Sequence, residues 1–493
     1  MISKLRASAA RSRVKRFLVV VSPVVTLFAF FALLPDQSRS AWERYKRTHV
    51  ATGDLVEWTN SLPGSLPPAQ ENFGATPLLA RIGRKGQSDA EFDANLNATR
   101  LISQLGTATG NWLDAERIDL TVIQLHLSTN SSGKKPPTGS PAAVVLQALV
   151  SVEAELAELR AASKRPFAKL ELNYPDPISA DLPNFVALRE LAQLLVLHAS
   201  AELALTNAGV AFEDIRAIHR LADLVSEEPN LVSAMIGSTL HNLALQAFWE
   251  GWIDKRWSSE QFGQFQERLQ RLDLLRTFQR SITVGERAGF NHILEHIPND
   301  RLAAMFWTAN SGTRFVDQIG LAITRFAIRL SSRSWRYKSQ LLYNRLLDET
   351  FANSVNVSEQ RVFPVSCDQA SNILDRAFAR WSPSNFLPSI FVPNSGKALK
   401  VVARHQTAVN QATLACALER YRMREGRYPS TLSALVPEFI AQLPHDLITG
   451  ESLIYRVPDE DRFLLYSVGW NGTDDGGALD EAQEDWVWPS QAK

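Results

Sequence analysis

The sequence predicts a mainly α-helical protein with an N-terminal transmembrane helix, a large antiparallel helical bundle or short solenoid, and a small C-terminal α+β unit. Three observations carry that expectation. An uncharged apolar run near the N-terminus has the length of a membrane span. Apolar residues through the middle recur at helical spacing. After residue 396 the texture changes to one long helix followed by strand-like segments.

The apolar run is Phe17 to Leu34, 18 residues without a charge, preceded by Lys4, Arg6, Arg11, Arg13, Lys15 and Arg16. As a helix it reaches about 27 Å, close to the hydrocarbon thickness of a bilayer. The basic flank places residues 1–16 in the cytoplasm and residues 36–493 on the other side. Two alternatives stay open here. One is an uncleaved single-pass signal-anchor. The other is a cleaved signal peptide, for which the Ala-Leu-Leu-Pro ending supplies a poor site. The stretch Phe315 to Leu330 is interrupted by Asp317, Arg325 and Arg329 and reads as an amphipathic helix.

With 52 basic and 52 acidic residues the formal charge is zero, which argues against a nucleic-acid partner, although a local patch can hide inside such a balance. An apolar fraction of 45% with 21% charged residues belongs to a folded chain and excludes wholesale disorder. Two cysteines, Cys367 and Cys416, are too few for a disulfide framework or a four-cysteine zinc site. They either pair in an oxidising compartment or remain as buried thiols.

From about Glu91 to Phe351 the apolar period is helical. Leu188, Leu191, Leu195 and His198 form one stripe, and Ile215, Ile218, Ala222 and Val225 another. Val232, Ile236, Thr239, Leu243 and Ala247 form a third, and Phe262, Phe265, Leu269 and Leu272 a fourth. Asn207-Ala-Gly209 and Glu228-Pro229-Asn230 read as breaks, and Ser258-Ser-Glu-Gln261 as a capping box. Asn130 to Ser140 reads as a flexible polar loop, and the Pro- and Ser-rich segment 382–396 as a linker. The expected division is therefore an anchor at 1–35, a helical body at 36–381, the linker, and a C-terminal domain at 397–493.

Two patterns in the middle invite chemistry. His292-Ile-Leu-Glu295-His296 has the His-x-x-Glu-His form in which two imidazoles on one helix face hold zinc and the glutamate acts as base. No third ligand is evident, and Pro298 puts both histidines in the last turn of their helix. Phe248, Trp249, Trp252 and Trp257 either line a ligand groove or pack as core. No phosphate loop, nucleophile elbow or dinucleotide fingerprint occurs.

In the C-terminal segment a helix is expected from Lys397 to Glu425, closed by Gly426, then a short helix at Ser430–Leu435. Strands follow at Ser452–Val457 and Arg462–Val468, around the acidic turn Pro458-Asp-Glu-Asp461. The ordered string Ala417-Leu-Glu-Arg-Tyr421, Gly426-Arg-Tyr-Pro429, Leu435-Val-Pro437, Leu443-Pro444, Leu465-Tyr-Ser-Val-Gly469, Asn471-Gly472 and Asp474-Asp-Gly-Gly477 resembles the globular domain of the type II secretion major pseudopilin, over a fifth of the chain. Large membrane-anchored bacterial envelope proteins with helical middles end in the same kind of tail, and the full chain resembles those.

The resemblance implies an α+β fold and a calcium ion in the loop after the last strand. Asn471, Asp474, Asp475 and Asp485 are the candidate ligands, with Asp480 and Glu484 close by in a glycine-rich, oxygen-rich turn of the sort calcium favours. Asn471 stands where the family often has Asp, which removes one formal charge. A solvated acidic terminus without an ion is the other reading. The sequence also departs from the family. No prepilin-peptidase site precedes the anchor, and Lys397, Lys400, Arg404 and His405 make the long helix unfit to polymerise as pseudopilins do. Likeness of fold therefore does not transfer the secretion role. The expectation is a non-enzymatic docking or scaffolding protein of the inner membrane and periplasm, whose partners are other envelope or secretion proteins. A zinc hydrolase built on His292, Glu295 and His296, or a ligand-binding module at the tryptophans, is the alternative.

Overall fold

A computed structural model describes residues 37–53, 57–82, 110–129, 139–305, 328–329, 332–379, 382, 384–393, 395–478 and 484–492. The expected anchor at 17–34, most of the polar loop at 130–140 and most of the segment 315–330 lie outside them. No described helix is long and apolar enough to cross a membrane. The chain is mainly helical, with a small three-stranded antiparallel sheet near the C-terminus and a separate two-stranded pairing of Val355–Asn356 with Arg361–Val362. It divides into two compact units, one of residues 1–55, 290–346 and 376–392, the other of residues 56–289, 347–375 and 393–493.

In the first unit, the helix Ser38–Thr52 buries Trp42. Residues 290–296 belong to the helix Arg287–His296, where Phe290 stacks on Tyr343 at 3.9 Å. Asn344 donates its amide N–H to Asn291 Oδ1 at 2.8 Å, so this buried polar pair is satisfied internally.

The second unit is built on α1 (Phe185–Ala204), α2 (Ala208–Ser226) and α3 (Leu231–Ile253), which pack against one another as consecutive helices joined by short turns. The stripes on α1 and α2 are buried as expected. Asn230 caps α3 by accepting from Ser233 N at 2.8 Å. The break between α1 and α2 falls at Leu205–Asn207, with Thr206 in the left-handed region, and Gly209 lies inside the first turn of α2. The next helix, α4 (Ser259–Gln270), opens with the full Ser258–Gln261 capping box. A short α5 (Leu274–Arg280) follows, its first turn capped by Asp273.

On α3 the expected stripe is fully buried only at its last member, Ala247, and the most buried face is another. Val232 is 55% exposed, while Ser233, Gly237, Leu240, His241, Ala244 and Phe248 are buried. A Cβ at Gly237 would meet Ser226 Oγ at 2.0 Å. Small side chains thus let α2 and α3 approach, and close approach selects the face over hydrophobicity.

The long helix is α6 (Ser395–Glu425), closed by Gly426 at φ +78°, whose N–H donates to the Arg422 carbonyl at 2.8 Å. It packs on α3, α4 and α5 and also on the C-terminal sheet, so it is buried from Leu399 to Glu419 on more than one side. Gln406 Oε1 accepts from Leu274 N at 2.7 Å, and Arg420 donates to Gln266 Oε1 at 2.8 Å. A short 3-10 turn at Leu432–Leu435 leads to the sheet, ordered β1 (Ile454–Asp459), β2 (Arg462–Ser467) and β3 (Trp486–Val487), all antiparallel. Ile454 pairs with Tyr466, and Tyr466 with Val487 on the other side. The third strand was not expected, since two residues carry no alternation to read.

The segment 382–396, expected as a linker, holds a helical turn at Phe386–Phe391 with Leu387 buried, and α6 begins at Ser395 within it. Cys367 and Cys416 are both free and buried. Desolvation lifts the Cys367 thiol to about 11 and that of Cys416 well above its usual value, so both are inert packing residues.

Candidate functional site

The acidic loop sits between β2 and β3. Asp485 immediately precedes β3, and its Oδ2 accepts from the Asp475 and Gly477 N–H groups at 3.1 and 2.8 Å. Asp475 Oδ2 in turn accepts from Asn471 Nδ2 at 2.9 Å and Glu484 N at 3.2 Å. The structure therefore brings Asn471, Asp475 and Asp485 together. Asp485 Oδ1 is shielded from solvent and has no hydrogen-bond partner among the described residues, and desolvation raises its carboxyl above the usual range. Asp474 faces elsewhere. It accepts from Tyr466 Oη at 2.8 Å and Gly476 N at 2.9 Å, which holds its carboxyl below the ordinary value. No group of three or more His, Cys, Asp or Glu side chains among the described residues is set to hold a metal ion. Asp480 lies outside the described residues.

The His-x-x-Glu-His string lies on the helix Arg287–His296. The two imidazoles stack at 4.4 Å, and His296 Nδ1 contacts the His292 carbonyl at 3.3 Å. Glu295 is directed away from them, accepting from Trp42 Nε1 at 3.2 Å, Lys46 Nζ at 3.3 Å and Gln340 Nε2 at 3.2 Å. A carboxylate held by a cation and two neutral donors is a structural acceptor.

The aromatic cluster is core. Phe248, Trp249, Trp252 and Trp257 are all buried. Trp257 Nε1 donates to the Phe248 carbonyl and Trp249 Nε1 to the Pro489 carbonyl, both at 2.8 Å. Trp488, which follows β3, lies 6.2 Å from Phe248 and 5.4 Å from Trp252 between ring centroids. The core alternative holds, and the place a ligand groove would take is filled by the chain's own C-terminal tail, whose carbonyl satisfies the indole that burial would otherwise orphan.

One site was not visible in the sequence. A cavity of about 360 Å³ is lined by the connector Pro166–Lys169, by α2, by His241 of α3, by the end of α4 and by α5. Its lining carries Lys169, Arg220, Arg268, Arg271, Arg276 and Arg280 against Asp223, Glu227 and Asp273. Asp223 is the fulcrum: Arg268 Nη2 donates to its Oδ1 at 2.6 Å and Arg220 Nη1 to its Oδ2 at 2.9 Å. The Nε atoms of both arginines are shielded from solvent and have no hydrogen-bond partner among the described residues. Behind Asp223, His241 Nε2 lies 3.9 Å from its carboxylate, and His241 Nδ1 meets His219 Nδ1 at 2.9 Å. One ring must donate and the other accept, so the accepting imidazole is neutral. Burial, reinforced by the Arg268 charge, pushes both well below the ordinary histidine value.

A contrasting histidine is His198 on α1. Burial works against its charge, yet the hydrogen bond to Asp214 at 2.7 Å prevails and raises it. Arg160 donates to the same Asp214 at 2.9 Å. The acid is fully buried, so this charge cluster is held together in the core.

The fold and these sites define a mainly helical protein with a small antiparallel sheet packed on its longest described helix. No protein-family model, curated protein or solved structure matches the chain.

Proposed function

We propose that this chain is a non-enzymatic, single-pass inner-membrane protein whose bulk is periplasmic and whose C-terminal, pseudopilin-like unit serves in docking or scaffolding of other envelope components. The observation that carries the reading is α6. One helix bears the sheet on one side and the helical body on the other, so the C-terminal unit is built into the body as a structural part. The order of long helix, short helical turn, antiparallel hairpin and acidic loop is the order the resemblance implies. Glu295, the candidate base of the hydrolase alternative, is engaged by three donors, which favours the non-enzymatic reading.

The same reading includes calcium in the acidic loop. Asn471, Asp475 and Asp485 would hold it, and the unpartnered Asp485 oxygen fits a cation ligand. Bound there, the ion would supply positive charge that offsets the paired carboxylates and stiffen the β2–β3 loop.

Alkaline phosphatase fused to the C-terminus, followed by membrane fractionation, tests the topology. Activity in the inner-membrane fraction that resists alkaline carbonate is the expected result, and inactive fusion in the cytosol would refute it. Calcium content of the detergent-solubilised full chain should be one per chain and lost in Asp485→Ala. A calcium-free wild type would remove the ion from the reading.

A further inference from the structure

We propose that the cavity between α2, α4 and α5 is a binding site for a small phosphorylated molecule, gripped through its phosphate by Lys169, Arg220, Arg268 and Arg280. The inference is independent of the topology and docking reading above.

Charge is the first argument. The lining residues leave a surplus of three positive charges, and counting Glu267, which pairs with Arg271, and Glu228, whose carboxyl acts on Lys169 and Arg280, still leaves one. A phosphate monoester or diphosphate carries the opposite charge. Arg220 and Arg268 share one carboxylate, while Lys169 and Arg280 carry no ion pair among the described residues. Both act on the buried Glu228 carboxyl without pairing with it, and cations in excess of their carboxylates repel, a repulsion that an anion relieves.

Geometry is the second. Each guanidinium is oriented by Asp223 through an Nη atom, which leaves its Nε–H without a partner. Arg220 Nη2 also donates to the Arg165 carbonyl at 2.8 Å, so both guanidiniums are held in place before an anion arrives, and a tetrahedral oxyanion offers several acceptors at once. The backbone that carries Lys169 is fixed in advance, because Asn72 accepts from its N–H at 2.8 Å and donates to its carbonyl at 2.9 Å. The cavity volume of about 360 Å³ exceeds that of a bare phosphate and falls at the small end of metabolite pockets. Its apolar lining, Pro166, Phe167, Ala168, Leu272 and Leu274, gives the body of such a molecule a surface to cover.

Titration calorimetry on the full chain in detergent micelles, with pyrophosphate and glycerol 3-phosphate as probes, is the test. Saturable binding below millimolar is expected, weakening about tenfold or more between 50 and 300 mM NaCl. The double variant Lys169→Met, Arg280→Met keeps both apolar stems and should bind about a hundredfold more weakly with an unchanged melting temperature. As a check that needs no variant, phenylglyoxal labelling of Arg280 in the wild type should be protected by pyrophosphate. No saturable binding of either probe, unchanged affinity in the double variant, or unprotected Arg280 would each overturn the proposal.

Discussion

The acidic loop after β2 and the basic cavity beside α2 are opposite in charge and opposite in construction. The loop takes its carboxylates from within 15 residues of chain, Asn471 to Asp485, and holds them with backbone N–H groups of the same stretch. The cavity draws Lys169, Arg220, Arg268 and Arg280 from separate segments and orients two of them on one acid, Asp223. The difference teaches where a site can be read. A site whose scaffold is local shows in composition, whereas one whose scaffold is tertiary vanishes into an average, here a net charge of zero.

The largest expected effect comes from separating the sheet from the body. Trp488→Ala removes a fully buried ring lodged against Trp112, Phe248 and Trp252, and should cost about 3–5 kcal/mol. Hydrogen exchange should then rise in 462–487 and stay slow in 220–241. Equal acceleration in both would show that loop and cavity belong to one cooperative unit.

Next in size is Asp223→Asn, which withdraws the carboxylate between Arg220 and Arg268. Urea denaturation should report a loss of about 2–3 kcal/mol, because two half-buried guanidiniums lose their counter-charge. An unchanged midpoint would mean that water already screens the pair.

Acid should act with opposite sign on the buried histidines and on Asp485 of the loop. His219 and His241 behind the cavity, with His405 on α6, are neutral when folded and take up protons when unfolded near pH 6.5. The unfolded state then binds more protons, so stability falls as pH drops below about 6.5. Desolvation takes His405 down to about 4, so its share extends to that pH and amounts to about 3 kcal/mol at most. Asp485 runs the other way. Its raised carboxyl binds a proton more readily when folded, so acidification through its folded value favours the native loop. Denaturation of wild type and His405→Gln at stepped pH checks this, the two curves converging toward pH 4. Parallel curves would refute the assignment.

The smallest effect belongs to Asp474→Asn. Asp474 faces Tyr466 and Arg456, so its replacement should leave both melting temperature and calcium content unchanged, whereas Asp485→Asn abolishes calcium binding. Equal loss in the two variants would put Asp474 in the ligand set.

Much of the helical frame was legible, and the exceptions have physical causes. The capping box at Ser258, the closure at Gly426 and the hairpin at 454–467 are decided within a few residues. The face of α3 was misread because that helix is apolar on most sides, so periodicity has no minimum to report, and Gly237 packing on Ser226 decided it. The tryptophans were legible as a cluster, but their partner Trp488 comes from 240 residues away, as the Trp249 bond to Pro489 shows. The His-x-x-Glu-His spacing was read correctly as a helix, and only the packing of Trp42, Lys46 and Gln340 showed what Glu295 does.

By itself the sequence determined the helices, their caps, the C-terminal hairpin and the crowding of acids after it, because backbone propensity and capping act over one or two turns. Tertiary structure alone decided which face of α3 is buried, that both cysteines stay free, that the tail closes the tryptophan cluster, and that arginines from distant segments converge on Asp223. Those outcomes depend on volume and on charges meeting through space, and neither is encoded in the spacing of residues along the chain.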